Sequence, residues 1–222
     1  MLKKTRLIVL HSLKYGESGL ITQAYCEHFG RQSFIVQGVR KKNSAFSSYL
    51  FQPLSLLTVE AYIKETRELQ RIKEAKPSVV LQSIHFEIQK SAIAVFISEI
   101  LYRTLREIEP NTSLFDYLFS AVQLLDKTER GFENFHILFL IQYSKFVGIY
   151  PIDHSELHHY ISSAGYNIID LLDISLKDMA QLVLNGETRT SILRSLMTYY
   201  QDHIEGLGKI RSLPVLYELF HQ

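Results

Sequence analysis

The most informative segment of the chain is Arg31-Gln-Ser-Phe-Ile-Val-Gln-Gly-Val-Arg-Lys-Lys-Asn-Ser-Ala-Phe-Ser-Ser-Tyr-Leu-Phe51, where a short apolar run leads into three consecutive cations and then into spaced aromatic residues. Aromatic and β-branched residues favour a strand over 33–37, and Gly38 permits a sharp exit into a loop that holds the cations. Cations clustered at a strand end suit a polyanion, although an ordinary surface loop can carry the same charges. The distribution of charge and the strand pattern elsewhere in the chain distinguish these two interpretations.

Charge is distributed unevenly along the chain. Residues 1–76 hold 13 Lys and Arg against 6 Asp and Glu, a net +7, whereas residues 77–222 hold 11 against 17, a net −6, within an overall charge of +1. This asymmetry predicts a basic first domain with an anionic partner and a second domain with a different task.

Residues 1–76 are predicted to form a β domain, because their apolar runs are short and separated by turn residues. Strands are predicted at residues 7–13, 20–27, 33–39, 54–63 and 68–73. The spacing of Phe46, Tyr49 and Leu50 predicts a short helix over 43–50, between the third and fourth strands. Five strands with such a helix are the layout of an OB-fold, a Greek-key barrel that binds oligonucleotides and oligosaccharides.

Residues 77–222 are predicted to form an all-helical domain. Helical periodicity favours one long helix over 78–107, a helix capped by Ser113 and Asp116, and a third over 133–147 that ends at Gly148. Three more are expected: one begins at Ser175 and ends near Asn185, one spans 190–204, and one begins at Ser212; residues 152–173 are expected to be a long connection. The predicted fold class is α+β, with an OB-fold barrel at 1–76 followed by a helical domain at 77–222.

The sequence also indicates a cellular compartment. The amino terminus lacks the pattern of a signal peptide, and the longest apolar run, at 137–147, is too short for a membrane helix. A single cysteine, Cys26, cannot form an internal disulfide and is interpreted as a packing residue. We therefore expect a soluble, cytoplasmic protein.

The basic residues of the first domain form the candidate nucleic-acid site. Phosphate contacts by such residues give affinity without sequence readout. Of the nearby aromatic residues, Tyr15 is expected to be exposed for base stacking, Phe46 and Phe51 to be buried, and Tyr49 to help fasten the bridging helix. The predicted DNA-binding residues are Lys3, Lys4, Arg6, Lys14, Tyr15, Arg31, Arg40, Lys41 and Lys42.

No catalytic pattern is present: the chain lacks a phosphate-cradling glycine loop and a nucleophile elbow. A binding protein without a cofactor is therefore favoured over an enzyme. His154 and His158 stand four residues apart and, with His159, offer a weak metal pattern, but without cysteines we interpret them as loop residues. Surface cations of the helical domain could accept an acidic peptide tail, and the candidates are Arg103, Arg106, Arg189 and Arg194.

Several short motifs, in order, give the chain a family resemblance. It resembles the RecO family of bacterial DNA repair proteins in Tyr15-Gly-Glu-Ser, His28-Phe-Gly-Arg31, Gly38-Val-Arg-Lys-Lys42, Phe51-Gln-Pro53, the pair Gly148 and Pro151, and the run 203–213 with Gly206, Lys209 and Ser212-Leu213. The likeness covers nearly the whole chain.

The resemblance implies a recombination mediator without nucleotide hydrolysis. Such proteins bind single- and double-stranded DNA, anneal complementary strands, engage the acidic tail of single-strand-binding protein and, with RecR, help to load RecA; the implied location is the nucleoid. Arg31, Arg40, Lys41 and Lys42 match basic positions of the family's barrel. Many members carry a four-cysteine zinc site after the positions of Gly148 and Pro151, and this chain lacks those cysteines, so no zinc is expected. An adaptor whose barrel grips a protein partner is the alternative.

Overall fold

The computed structural model describes residues 1–39, 47–64, 66–106, 109–151, 160–161 and 171–220. Five strands close into a barrel in the order β1-β2-β3-β5-β4. The pairs are antiparallel except for a short parallel pairing of β3 with β5 over residues 33–35. The strands are β1 Leu2–Tyr15, β2 Gly19–Cys26, β3 Gly30–Val36, β4 Leu56–Tyr62 and β5 Leu69–Pro77. The predicted five-stranded barrel is confirmed.

The first strand is longer than its apolar pattern suggested and pairs with two neighbours. Residues 2–8 pair with β4, and the later half of the strand pairs with β2 after an irregularity between Val9 and His11. The prediction of residues 7–13 was too short because Lys3, Lys4 and Arg6 interrupt the apolar pattern where the strand faces outward.

Only residues 47–50 of the predicted bridging helix belong to the described part of the chain. Residues 43–46, including Phe46, lie outside the described residues, and Ser48–Phe51 is a single 3-10 turn. Phe51 is 2% exposed, as predicted, whereas Tyr49 is 57% exposed, so its predicted role in fastening the helix was wrong.

Helices follow the barrel, as predicted. Those with described bounds are α1 Ile88–Thr104, α2 Thr112–Lys127, α3 Phe135–Tyr143, α4 Gly186–His203 and α5 Leu213–Phe220, with 3-10 turns at Phe132–Asn134 and Leu176–Gln181. Most of the predicted connection at 152–173 lies outside the described residues, but residues 160–161 and 171–172 are helical. None of these described helices is long and apolar enough to cross a membrane.

The predicted helix over 78–107 was wrong at its start, since α1 begins at Ile88. The buried carboxylate of Asp126 on α2 accepts hydrogen bonds from the backbone amides of Gln82, Ser83 and Ile84 at 2.8 to 3.0 Å. These bonds satisfy the amides in a non-helical path, which local periodicity cannot reveal.

Asparagine side chains mark two helix starts that the prediction assigned differently. The Asn111 side chain accepts a hydrogen bond from the Leu114 amide at 2.9 Å, so it caps α2 in place of Ser113. Asn185 accepts from the Thr188 amide at 2.8 Å and begins α4, where the sequence had suggested a helix end. The helix predicted from Ser175 is the 3-10 turn.

Two groups of buried residues hold the molecule together. One fills the barrel around Leu7, Phe34 and Val59. The other joins the helices to Ile8, Leu10, Tyr25 and Leu56 of the barrel strands and to Leu54 just before β4. The barrel and the helices therefore share a core, which fixes the cleft between them.

Candidate nucleic-acid interface

A cleft of about 750 Å³ lies where the barrel meets the helices. Its floor includes Gln23 of β2 and Ser33 of β3, whose side chains are hydrogen-bonded at 3.0 Å. Its walls are the β4–β5 loop, including Arg67, and the connection after α1, including Arg106. In an OB-fold the face of the second and third strands and the loop between the last two form the ligand-binding surface, so this cleft occupies the expected position.

The side chain of Gln70, which is 3% exposed, holds the β4–β5 loop. Its oxygen accepts from the Lys64 amide at 2.9 Å, and its nitrogen donates to the carbonyls of Lys64 and Arg67 at 2.9 and 2.6 Å. One buried amide thus satisfies three backbone groups of the loop. The loop presents Lys64 and Arg67, both of which are exposed.

Among the described residues, three arginines line the cleft: Arg31, Arg67 and Arg106. The Arg31 guanidinium donates to the carbonyls of Tyr102 and Leu105 at 2.8 and 2.6 Å and lies 4.8 Å from the centre of the Tyr102 ring. Burial, followed by the positive charge of Arg106, lowers the pKa of Arg31. Arg31 therefore caps the carboxyl end of α1 and keeps a cation at the cleft wall.

The outer face of the barrel beside the cleft carries apolar groups and a cation. Consecutive cross-strand partners are Leu13, Ile21, Ile35, Arg71 and Tyr62. Leu13 is 56% exposed and Tyr62 is 46% exposed. Because Ile21 and Gln23 lie two residues apart on β2, this row and the cleft floor share one face. Such a face can contact bases while the surrounding cations contact phosphates.

Some of the predicted DNA-binding residues are exposed on the barrel, and others lie outside the described residues. Lys3, Lys4, Lys14 and Tyr15 are exposed on β1, with Tyr15 at 52% as expected. Arg40, Lys41 and Lys42 lie outside the described residues. Their role in binding DNA stays a prediction.

Arg6 lies within β1, where a strand end had been predicted. Its guanidinium donates to both carboxylate oxygens of Glu27, at 2.8 and 2.6 Å, and lies 5.2 and 4.8 Å from the ring centres of Phe115 and Phe119. The side-chain hydrogen bond to Glu27 raises the pKa of Arg6 despite partial burial. These contacts join the barrel to α2.

The four arginines proposed for an acidic tail also have internal partners. Arg103 binds Glu99 and the Leu207 carbonyl, Arg106 donates to the Glu205 carbonyl, and Arg194 lies over Tyr217. Arg189 is not a surface cation, since it is 7% exposed and donates to Asn134 and to the carbonyls of Phe220 and Leu184.

Sequence reasoning missed Arg67, which lines the cleft, and the neighbouring cations Lys64 and Arg71 as candidate site residues. All three are exposed and belong to the basic first part of the chain. Their spacing across the turn between the fourth and fifth strands was a usable signal, because the corresponding loop of an OB-fold borders its binding face. That signal is weaker than the three consecutive cations at 40–42, because these three residues are spread over eight positions.

The histidines His154, His158 and His159 lie outside the described residues. Within the part of the chain that the structure describes, no group of three or more His, Cys, Asp or Glu side chains could hold a metal. Cys26 is completely buried, and this burial raises the pKa of its thiol above the ordinary range.

Comparisons with known proteins agree with this architecture. Family models described as "Recombination protein O N terminal" and "Recombination protein O C terminal" match residues 1–79 and 85–158. Similar proteins named DNA repair protein RecO occur in Bacteroides fragilis, 38% identical, and Phocaeicola vulgatus, 34% identical, in each case over 99% of this chain and 100% of the relative. The protein of that name from Flavobacterium johnsoniae is 34% identical over 98% of both chains.

Proposed function

Because the chain belongs to the RecO family, with its role in DNA repair and recombination, we propose that it is a mediator that binds single- and double-stranded DNA through its barrel and anneals complementary strands. With RecR, it helps to load RecA onto DNA coated with single-strand-binding protein. It acts by binding and catalyses no reaction, and it works in the cytoplasm at the nucleoid.

The observation that carries the proposal is the arginine-lined cleft on the more basic part of the chain. Cations that contact phosphates release condensed counterions, so binding should weaken steeply with salt. The row on the same face, in which Leu13 and Tyr62 are exposed, supplies contacts for bases. Both features suit a ligand with a charged backbone and exposed rings.

Titration of labelled single- and double-stranded DNA at several salt concentrations tests the proposal. Replacing Arg40, Lys41 and Lys42 by Ala should lower the salt slope by up to about 0.7 for each phosphate of a single strand that these cations neutralise. Arg130→Ala is a matched control, because Arg130 is exposed on the connection between α2 and α3. Binding that is absent or insensitive to salt would favour the alternative, a protein-binding adaptor.

An apolar groove on the helical part supports binding of an acidic tail. It holds about 630 Å³ and combines Tyr117, Leu124 and Leu176 with two exposed lysines, Lys127 and Lys177. Aliphatic and aromatic lining with cations suits a peptide that carries both apolar and acidic residues. We therefore propose this groove, ahead of the internally bonded arginines, as the site for the tail of single-strand-binding protein.

A fluorescent tail peptide from the single-strand-binding protein of the same bacterium tests this assignment. Lys127→Ala and Lys177→Ala should each weaken peptide binding, and Arg194→Ala should leave it unchanged. If Arg194→Ala weakened peptide binding and the two lysine variants did not, the tail site would be assigned to the arginines. The DNA-binding proposal would be unaffected.

A further inference from the structure

The cleft belongs to both parts of the molecule. Arg67 stands on the barrel side, whereas Arg106, Glu109 and Pro110 come from the connection between α1 and α2. Arg67 and Arg106 are both exposed. A ligand that fills the cleft therefore touches residues of the helical part as well as of the barrel.

The two exposed arginines retain the capacity to bind an anion. The ion pairs of the described residues involve neither guanidinium, although Glu68 and Glu109 also line the cleft. Arg106 uses a hydrogen bond to the Glu205 carbonyl at 2.8 Å, which orients it and leaves further N–H donors.

The electrostatics of the wall also favour an anion. Arg31 is fixed by the carbonyl oxygens at the end of α1 and feels the positive charge of Arg106. An anionic group placed beside Arg106 would reduce this repulsion between like charges. A phosphate is such a group, and its tetrahedral oxygens accept hydrogen bonds from guanidinium donors.

The cleft floor favours an unpaired strand over a duplex. It offers the amide of Gln23, the hydroxyl of Ser33 and the ring of Phe29. Base faces and pairing edges can reach such groups only when the bases are unstacked and unpaired. A volume of about 750 Å³ has the size of a small-ligand pocket, which suits a few nucleotides of one strand.

Resting on the proposed DNA-binding function, we propose that the cleft binds one DNA strand across both parts of the molecule, with phosphates contacted by Arg67 of the barrel and Arg106 of the helical part. Base contacts come from the floor. The helical part is then a direct component of the single-strand site.

The test uses the full chain and a labelled oligothymidylate, with a mixed-sequence duplex for comparison. Arg67→Ala and Arg106→Ala should each lower the single-strand salt slope by about 0.7, and the double variant by about twice as much. Arg106→Lys keeps the charge and should restore most of the slope. Arg130→Ala should match the unaltered protein, and duplex binding should change less with Arg106→Ala than single-strand binding does.

Two results would overturn this inference while leaving DNA binding intact. In one, Arg106→Ala behaves like Arg130→Ala while Arg67→Ala weakens binding, which confines the strand to the barrel. In the other, Arg106→Ala weakens only binding of the acidic tail peptide, which assigns Arg106 to a protein partner. Failure of the unaltered chain to bind any DNA would instead refute the proposed function.

Discussion

Buried side chains hold the backbone of neighbouring segments in place through hydrogen bonds in this protein. The Asp126 carboxylate organises residues 82–84, and burial alone would raise its pKa. The backbone amides of Gln82, Ile84 and Ser83 and the Ser83 hydroxyl outweigh burial and lower that pKa below its ordinary value. A group with a lowered folded-state pKa stabilises the fold above its unfolded pKa and loses this contribution as the pH falls.

Asp126→Asn should reduce the free energy of unfolding at pH 7 by about 1 to 3 kcal/mol, because it removes a charged acceptor of several amide hydrogen bonds. The difference from the unaltered protein should shrink as the pH falls below about 4, the ordinary aspartate pKa that applies to the unfolded chain, and be smallest below the lowered folded-state pKa. Urea unfolding across this range measures it. The exposed Glu129→Gln serves as control, and a difference that stays constant with pH would contradict the assignment.

Gly131 is a position where the fold leaves no room for a larger residue. Its φ is +78°, and a Cβ built there would lie 2.6 Å from the Ala180 Cα. Gly131→Ala should therefore destabilise the protein by about 2 kcal/mol or more. Gly148→Ala is the matched control, since its φ is +75° with nothing within 4 Å, and it should cost only about 1 to 2 kcal/mol. Equal losses in thermal unfolding would show that contact with Ala180 contributes nothing.

At the scale of elements, the β4–β5 loop depends on Gln70. The shape of the loop comes from one amide that both accepts and donates. Without it, Arg67 would stand on a loop held mainly by the hydrogen bond from its own amide to the Lys64 carbonyl at 3.1 Å. Ordering this loop before binding lowers the entropic cost of contacting a strand.

Gln70→Glu tests this arrangement with almost no change in shape. The carboxylate cannot donate to the carbonyls of Lys64 and Arg67, so we expect faster hydrogen exchange at residues 64, 66 and 67 and weaker single-strand binding. The loss should be smaller at acid pH, where a protonated Glu regains one donor. Unchanged exchange would mean that the loop is ordered by other contacts, and Gln82→Ala, at an exposed position, controls for general destabilisation.

At the scale of the whole molecule, the barrel and the helices are one packed body. Arg6 bridges β1 and α2, and Arg31 bridges β3 and α1. Apolar residues of the barrel also belong to the helical core. The geometry of the cleft therefore depends on the junction as much as on either part.

Calorimetry of the full chain should show one cooperative unfolding transition, because the shared core couples the two parts. Arg6→Ala should lower the Tm of that transition, whereas Lys4→Ala, an exposed change on the same strand, should not. Two separate peaks, with Arg6→Ala affecting only one, would show that the parts unfold independently.

Much of the fold followed from local pattern. Short apolar runs with glycine turns predicted the barrel, and the change to helical spacing after residue 77 predicted the helices. Two predicted boundaries were wrong. Helix α1 begins later than predicted because the Asp126 carboxylate binds the amides of residues 82–84, and β1 begins earlier because its outward-facing cations interrupt the apolar pattern. The candidate site was predicted only as a charge imbalance and a basic loop, because the sequence does not state which cations share a surface.

Composition, periodicity and the order of short motifs were enough to establish the fold class, the basic first part and the family to which the chain belongs. Only the packed structure shows that Arg6 and Arg189 bond to residues far away in the chain, and that Arg31, Arg67 and Arg106 line one cleft. The physical reason is that hydrogen bonds and burial between residues far apart in the chain are set by packing, which leaves no local pattern in the sequence.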